Sequence, residues 1–232
     1  MDSRISVVIP SYKEAAYIEK TLKALRGQSY KDIEIIVVDS DPGEETRDIA
    51  RGYADKVIHL SERGVSKARN LGARNASGGI ILFMDADTII CDGSLQEIAR
   101  IFYGGDVASV CGFVEVESSF LNRLIFRITA ESGWLLAMLG IPLFYGFCVA
   151  YRRDVFERIG GFNESLVTCE DLDVSMRAAK AGRCVFSRKV RVVTSARRLE
   201  KGGTVRMIVF HLRNFMNYLK CGKPAEHYPV LR

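Results

Sequence analysis

Histidine is scarce in this chain, and the little there is does not cluster. The three histidines stand at 59, 211 and 227 among 232 residues. Six cysteines are spread over positions 91, 111, 148, 169, 184 and 221, with no Cys-x-x-Cys pair. A zinc centre needs close-set nitrogen and sulfur ligands, so this spread argues against one. The opening Met1-Asp2-Ser3-Arg4 leads straight into an apolar run without a signal-peptide pattern. That predicts a cytoplasmic protein with reduced thiols. No dense Lys/Arg run with interleaved aromatics occurs, so nucleic acid is not an expected partner. Repeats and low-complexity tracts are also missing. What remains is an ordinary globular composition, 48% hydrophobic and 26% charged. Its length fits one domain, or a core with a small subdomain. The net charge of +5 is diffuse and suits a polyanionic ligand or an anionic membrane surface.

Apolar runs alternate with helical patterns. Strands are predicted at 5–10, 33–38, 56–60 and 80–84, and helices at 14–28, 44–53 and 65–76. This order implies a mostly parallel sheet with helices on both faces, an α/β fold of Rossmann-like type. Beyond residue 90 the pattern loosens. Helices are expected at 95–103, 118–140, 154–159, 171–181 and 204–220. Strands are expected at 107–116 and 144–151, with closing strands at 184–187 and 190–194. The chain divides into a half at 1–90, a half at 91–203 and a tail at 204–232.

Asp85-Ala86-Asp87 carries the most chemistry. It follows the apolar run Ile80-Ile81-Leu82-Phe83-Met84. Two carboxylates two residues apart at a strand's carboxyl end form a hard-oxygen site suited to Mg²⁺ or Mn²⁺. Such strand ends are where open α/β sheets bind ligands. Asp39 ends the second strand, and Pro10-Ser11-Tyr12-Lys13-Glu14 follows the first. Carboxylates at successive strand ends are expected to converge on one cleft.

Two segments raise a membrane question. Ser132 to Tyr151 holds no charged residue over twenty positions. Its glycines and proline favour a buried or acceptor-lining segment over a bilayer span. In residues 204–220, Ile208, Leu212, Phe215 and Leu219 share a helical face. That face suits peripheral contact with a membrane, packing on its own domain, or a homodimer.

The motifs together resemble a family 2 glycosyltransferase of the GT-A type over roughly residues 4–198. Ser6 to Glu14 is similar to the family's start, and Ile36-Val37-Val38-Asp39 to its second-strand motif. Arg63-Gly64 with Ala68-Arg69-Asn70 resembles the segment over the nucleoside. Asp85-Ala86-Asp87 resembles the metal motif. Gly160-Gly161-Phe162-Asn163-Glu164, Glu170-Asp171 and Arg177 resemble the acceptor-side block. The resemblance implies a UDP- or GDP-sugar donor bound in the 1–90 half by Pro10, Tyr12, Glu14, Asp39, Asp41, Arg63, Lys67, Arg69, Asn70 and Asp85. Arg197 and Arg198 would add diphosphate contacts where the family often has a histidine. It implies a metal on Asp87 and Asp85, and a glycan or lipid-linked acceptor in the 91–203 half. The family often reads Asp-Gly-Ser after the second strand. Here Ser40-Asp41-Pro42 leaves open whether Asp39 or Asp41 holds the base.

Chemistry supports the same assignment. An acceptor hydroxyl must lose a proton as it attacks, and Asp171 is the candidate base, with Glu170 as neighbour or substitute. One base and no second nucleophile predict inversion. The Gln-x-x-Arg-Trp motif of processive synthases is missing, so transfer of a single sugar is expected. A non-catalytic sugar-nucleotide binding module is the alternative. A nucleotidyltransferase fits less well, because Pro10-Ser11-Tyr12-Lys13 is no Gly-rich phosphate loop.

Overall fold

The structure is a computed structural model and describes residues 3–144, 146–197 and 203–222. The chain begins β1 (Ile5–Ser11), α1 (Ala15–Arg26), β2 (Ile33–Asp39), α2 (Glu45–Arg51), β3 (Lys56–His59), α3 (Val65–Asn75) and β4 (Ile80–Met84). It continues with β5 (Thr88–Ile90), α4 (Ser94–Tyr103), β6 (Val107–Glu117), α5 (Phe120–Met138) and β7 (Cys148–Arg152). The last elements are α6 (Arg153–Arg158), α7 (Glu170–Ala181), β8 (Arg183–Ser195) and α8 (Thr204–Cys221).

One eight-stranded sheet takes in all the strands, in the order β3-β2-β1-β4-β7-β6-β8-β5. The pairs β3-β2, β2-β1, β1-β4 and β6-β8 are parallel, and the other three are antiparallel. Both faces of the sheet are covered, which is why the central strands read as unbroken apolar runs rather than alternating ones. Ile5, Val7, Ile9, Ile35, Val37, Leu82 and Met84 pack one way, against Ile18 and Leu22 of α1 and Leu95 and Ile98 of α4. Their neighbours Val8, Ile36, Val38, Ile81 and Phe83 pack the other way, against Ala68 and Ala73 of α3 and Val174 and Ala178 of α7. The α3 helix can lie this close because Gly72 has no side chain. A Cβ there would stand 2.3 Å from Val8 Cγ1.

Strand order reverses at β1, which has β2 on one side and β4 on the other. A crevice opens outside the carboxyl ends of strands at such a point. Ser11, Asp39 and Met84 end their parallel strands there. Cys148 pairs with Met84 in the antiparallel β7, so the segment just before β7 reaches the same edge.

Three expectations need correction. Thr88–Ile90 forms a short edge strand, where no strand was read. The two closing strands are one, Arg183–Ser195, whose ladder with β6 shifts register between Gly112 and Phe113. The strand expected from 144 starts at Cys148. The uncharged stretch from Ser132 is therefore the end of α5, a loop and β7, and Leu135, Met138, Leu139 and Ile141 in it are exposed rather than buried. Among the described residues no helix is long and apolar enough to cross a membrane.

Candidate active site

Arg69 is the hub of the crevice. It projects from α3, and its side chain is only 3% exposed. One guanidinium nitrogen donates to Asp171 Oδ1 at 2.8 Å and Glu170 Oε1 at 3.2 Å. The other donates to Asp85 Oδ1 at 3.2 Å and to the Gly146 carbonyl at 3.4 Å. One cation therefore faces three carboxylates drawn from the end of β4 and the first turn of α7. Removed from water, this excess of negative charge is costly. Burial first, and then the Asp171 charge, pushes the Glu170 carboxyl up to about 7. Burial also raises Asp171, against the opposing pull of Arg69. The peptide N–H of Gly146 adds a hydrogen bond to Asp171. Gly146 fits there only as glycine: a Cβ would lie 2.4 Å from Asp171 Oδ2 and 2.5 Å from Arg69 Nη2. Cys169, just before the acidic pair, takes a left-handed φ of 62°. Strain of that kind concentrates at functional sites.

A second cluster lies beside the first. Arg197 pairs with Asp87 Oδ2 at 3.0 Å through Nε and with Glu14 through Nη2. Its guanidinium sits 4.5 Å from the centre of the Tyr17 ring. The other Glu14 oxygen, Oε2, is buried without a hydrogen-bond partner. The turn that carries both aspartates is pinned by Thr21, whose hydroxyl donates to the Ala86 carbonyl at 2.8 Å.

At the end of β2, Asp39 is fully buried. Its Oδ1 accepts from the Ser11 hydroxyl at 2.8 Å and its Oδ2 from Arg47 at 2.9 Å. Arg47 also donates to the Asp41 carbonyl at 2.6 Å and lies 3.0 Å from His59 Nδ1. Asp39 thus spends both oxygens inside the protein, whereas the neighbouring Asp41 is partly exposed. Sequence reasoning missed Arg47. An arginine in a surface helix reads as a solvated residue, and only the fold brings α2 over the end of β2.

The other expected residues divide between the crevice and its frame. The Arg63 guanidinium stacks 4.1 Å from the Tyr12 ring centre, beside Pro10 at the end of β1. Lys13, next to Tyr12, has a left-handed φ of 58°. Lys67 is engaged by Glu62. Asn70 is a latch: its amide donates to the Phe162 carbonyl and to Glu164, and its oxygen accepts from the Phe162 N–H, each at 2.9 Å. It ties α3 to the Gly160–Glu164 turn. Arg177 ties the same turn to α7, through the Gly161 carbonyl at 2.7 Å and Asp173. Arg198 lies outside the described residues. Among the described residues no three His, Cys, Asp or Glu side chains converge as a ready metal cage.

Known proteins are similar to this chain in sequence and in fold. An uncharacterised glycosyltransferase of Rickettsia prowazekii (strain Madrid E) is 26% identical over 198 residues, which cover 80% of this chain and 62% of the relative. The chain thus spans about three-fifths of that relative's length. Among solved structures, the mannosyltransferase PcManGT from Pyrobaculum calidifontis, in complex with GDP-Man and Mn²⁺, superposes with a TM-score of 0.71. It is 24% identical, over 96% of this chain and 66% of that one. Residues 1–349 of Staphylococcus aureus TarS, in complex with UDP, give a TM-score of 0.66 at 19% identity, over 83% of this chain and 60% of that one. These likenesses establish the fold as the GT-A type. The glycosyl transferase family 2 profile matches residues 6–160, from β1 past α6, a span that holds Asp39, Arg69, Asp85 and Asp87. The chain belongs to glycosyl transferase family 2.

Proposed function

We propose that this chain moves one sugar from a UDP- or GDP-sugar to an acceptor hydroxyl or lipid phosphate, with inversion at the anomeric carbon. The carrying observation is the Arg69 cluster, where Asp85, Glu170 and Asp171 meet one buried cation at the switch-point crevice. The negative excess there suits a further cation and a base. The proteins it resembles include one in complex with GDP-Man and one in complex with UDP, which supports a nucleoside-diphosphate donor of either base.

Asp85 and Asp87 would hold Mg²⁺ or Mn²⁺. The donor set fits: both groups are hard-oxygen ligands, and these ions bind through one or two carboxylates and leave other positions to water and phosphate. When bound, the ion offsets the negative charge that develops on the leaving diphosphate. Arg197, beside Asp87, is placed to meet the same phosphates. Arg69 fixes the Asp171 carboxylate through Oδ1, and Gly146 closes over it. Asp171 takes the acceptor proton as the acceptor oxygen bonds to the anomeric carbon. The bond from that carbon to the phosphate oxygen breaks, and its electron pair leaves with the diphosphate. Burial raises the Asp171 carboxyl above its ordinary range, which makes it a stronger proton acceptor for this step. Of the two candidates for the nucleobase, Asp41 is the more exposed, while each Asp39 oxygen already accepts one hydrogen bond.

Residues 204–220 would make a peripheral contact with a membrane or with a second copy. Their helix is held to its own domain by Tyr218, whose hydroxyl donates to Asp173 at 2.7 Å, while Val209, Leu212, Met216 and Leu219 stay exposed. The test of the whole reading is a thermal-shift panel of UDP- and GDP-sugars with and without Mn²⁺. Stabilisation by one donor class that depends on Mn²⁺ supports it, since a ligand of the folded state raises the melting temperature. No shift with any donor would count against it.

A further inference from the structure

The α5 helix turns Ala130 and Phe126 to the core and carries a second set of apolar residues outward. Phe120, Leu124, Ile128, Leu135, Met138 and Leu139 lie within about 100° of arc along one face, at 3.6 residues per turn. They are between 42% and 74% exposed. At about 1.5 Å per residue the stripe runs nearly 30 Å. An apolar patch of that length on the surface of a chain marks an interaction site. The flank of the stripe is basic. Arg123 and Arg127 are exposed there and have no acidic partner among the described residues. Glu131, the one acid of α5, falls inside the arc and interrupts the stripe between Ile128 and Leu135, where Arg188 neutralises it. Trp134, the only tryptophan in the chain, stands on the same flank, half-buried, with the Arg188 guanidinium 3.9 Å from its ring centre. The inner edge of the stripe borders a cavity of about 460 Å³, lined by Trp134, Met138, Val185 and Phe186 among others.

We propose that this face of α5 docks on an anionic lipid bilayer. The helix has the features of an interfacial helix: an apolar face, an arginine-bearing margin, and a tryptophan at the boundary between them. A second copy of the chain would meet the same stripe with like-charged arginines on its margins. A bilayer with anionic headgroups meets them with opposite charge. The proposal stands apart from sugar transfer, since it uses none of the crevice residues. It also rests on residues other than those of the contact assigned to residues 204–220.

The experiment uses the whole chain and vesicles of phosphatidylcholine, with or without 30% phosphatidylglycerol by mole (~30%, an anionic fraction of the order that gives such surface potentials). Co-sedimentation is read together with Trp134 fluorescence, which reports on α5 alone. The expected result is binding to the anionic vesicles at least ~10-fold stronger than to neutral ones, with a blue shift of the emission and loss of binding in high salt. Arg123→Glu with Arg127→Glu should weaken it by about 25-fold or more, from roughly 5-fold per arginine removed. Leu124→Asp with Ile128→Asp should abolish it. Both pairs are surface changes, so unaltered melting curves will show that the fold survives. Three results overturn the proposal: equal binding to both vesicle types, full binding by both double variants, or a stable dimer that Leu124→Asp with Ile128→Asp dissolves while vesicle binding is nil.

Discussion

Asp171 and Glu170 are adjacent, yet their surroundings separate their roles. Asp171 is clamped by Arg69 and Gly146, while Glu170 keeps the weaker, 3.2 Å contact with Arg69. Asp171→Asn keeps the size but cannot accept a proton at neutral pH. Turnover is expected to fall by roughly 10²-fold or more, with donor affinity near that of the unaltered chain. Steady-state kinetics alongside calorimetric donor binding checks this, and normal turnover would move the base elsewhere. Glu170 makes a stability prediction. Its folded pKa of about 7 lies above its ordinary 4.5, so between those values the folded state holds more proton than the unfolded one. Stability from this group is then present below about 4.5 and is lost as pH rises through about 7. Melting temperatures of Glu170→Gln and the unaltered chain should diverge between pH 5 and pH 8, with the variant gaining at the higher pH. Parallel curves would contradict the burial argument. The acidic residues were legible because position alone marks them: Asp85 and Asp87 at a strand's end, Asp171 at a helix start. Arg47 and the double engagement of Asp39 were not, because no local pattern ties an arginine in α2 to a carboxylate eight residues earlier.

Among the elements, α3 does the joining. Its Gly72 lets it lie on β1, its Arg69 gathers the carboxylates, and its Asn70 holds the Gly160–Glu164 turn. Sequence reading placed Asn70 over the nucleoside. In the fold its amide is taken up by Phe162 and Glu164. Asn70→Ala removes three hydrogen bonds and leaves the buried Phe162 N–H without its partner. The expected loss is about 3 kcal/mol, at roughly 1 kcal/mol per bond. Urea unfolding measures it, and a loss below about 1 kcal/mol would show the latch to be dispensable. The longer segments were predicted within a few residues, since unbroken apolar runs mark the buried strands and a 3.6-residue period marks the amphipathic helices. The three-residue β5 has too little pattern to see. The polar Arg188-Lys189 inside β8 read as a break, although the strand continues through it.

Across the whole molecule, the reversal of strand order at β1 turns scattered sequence motifs into one crevice. The parallel pairing of the first four strands was legible from their alternation with helices. The antiparallel β7 and the outer strands were not, because cross-sheet pairing leaves no mark on local sequence. The outer surface adds a second asymmetry, an apolar and arginine-flanked α5 on a chain of net charge +5. On the functions proposed above, both features would gather anions: a nucleoside diphosphate in the crevice and an anionic surface outside it. The central claim is that Asp85 and Asp87 couple a divalent ion to a nucleoside diphosphate in this crevice. Calorimetric titration of UDP and of GDP, each in Mn²⁺ and in EDTA, tests it most directly. The account predicts 1:1 binding of one of the two that weakens by about 10-fold or more in EDTA, a typical coupling between linked sites. Asp87→Ala should show the EDTA affinity under both conditions. Equal affinity in Mn²⁺ and EDTA, or no binding of either nucleotide, would contradict the account.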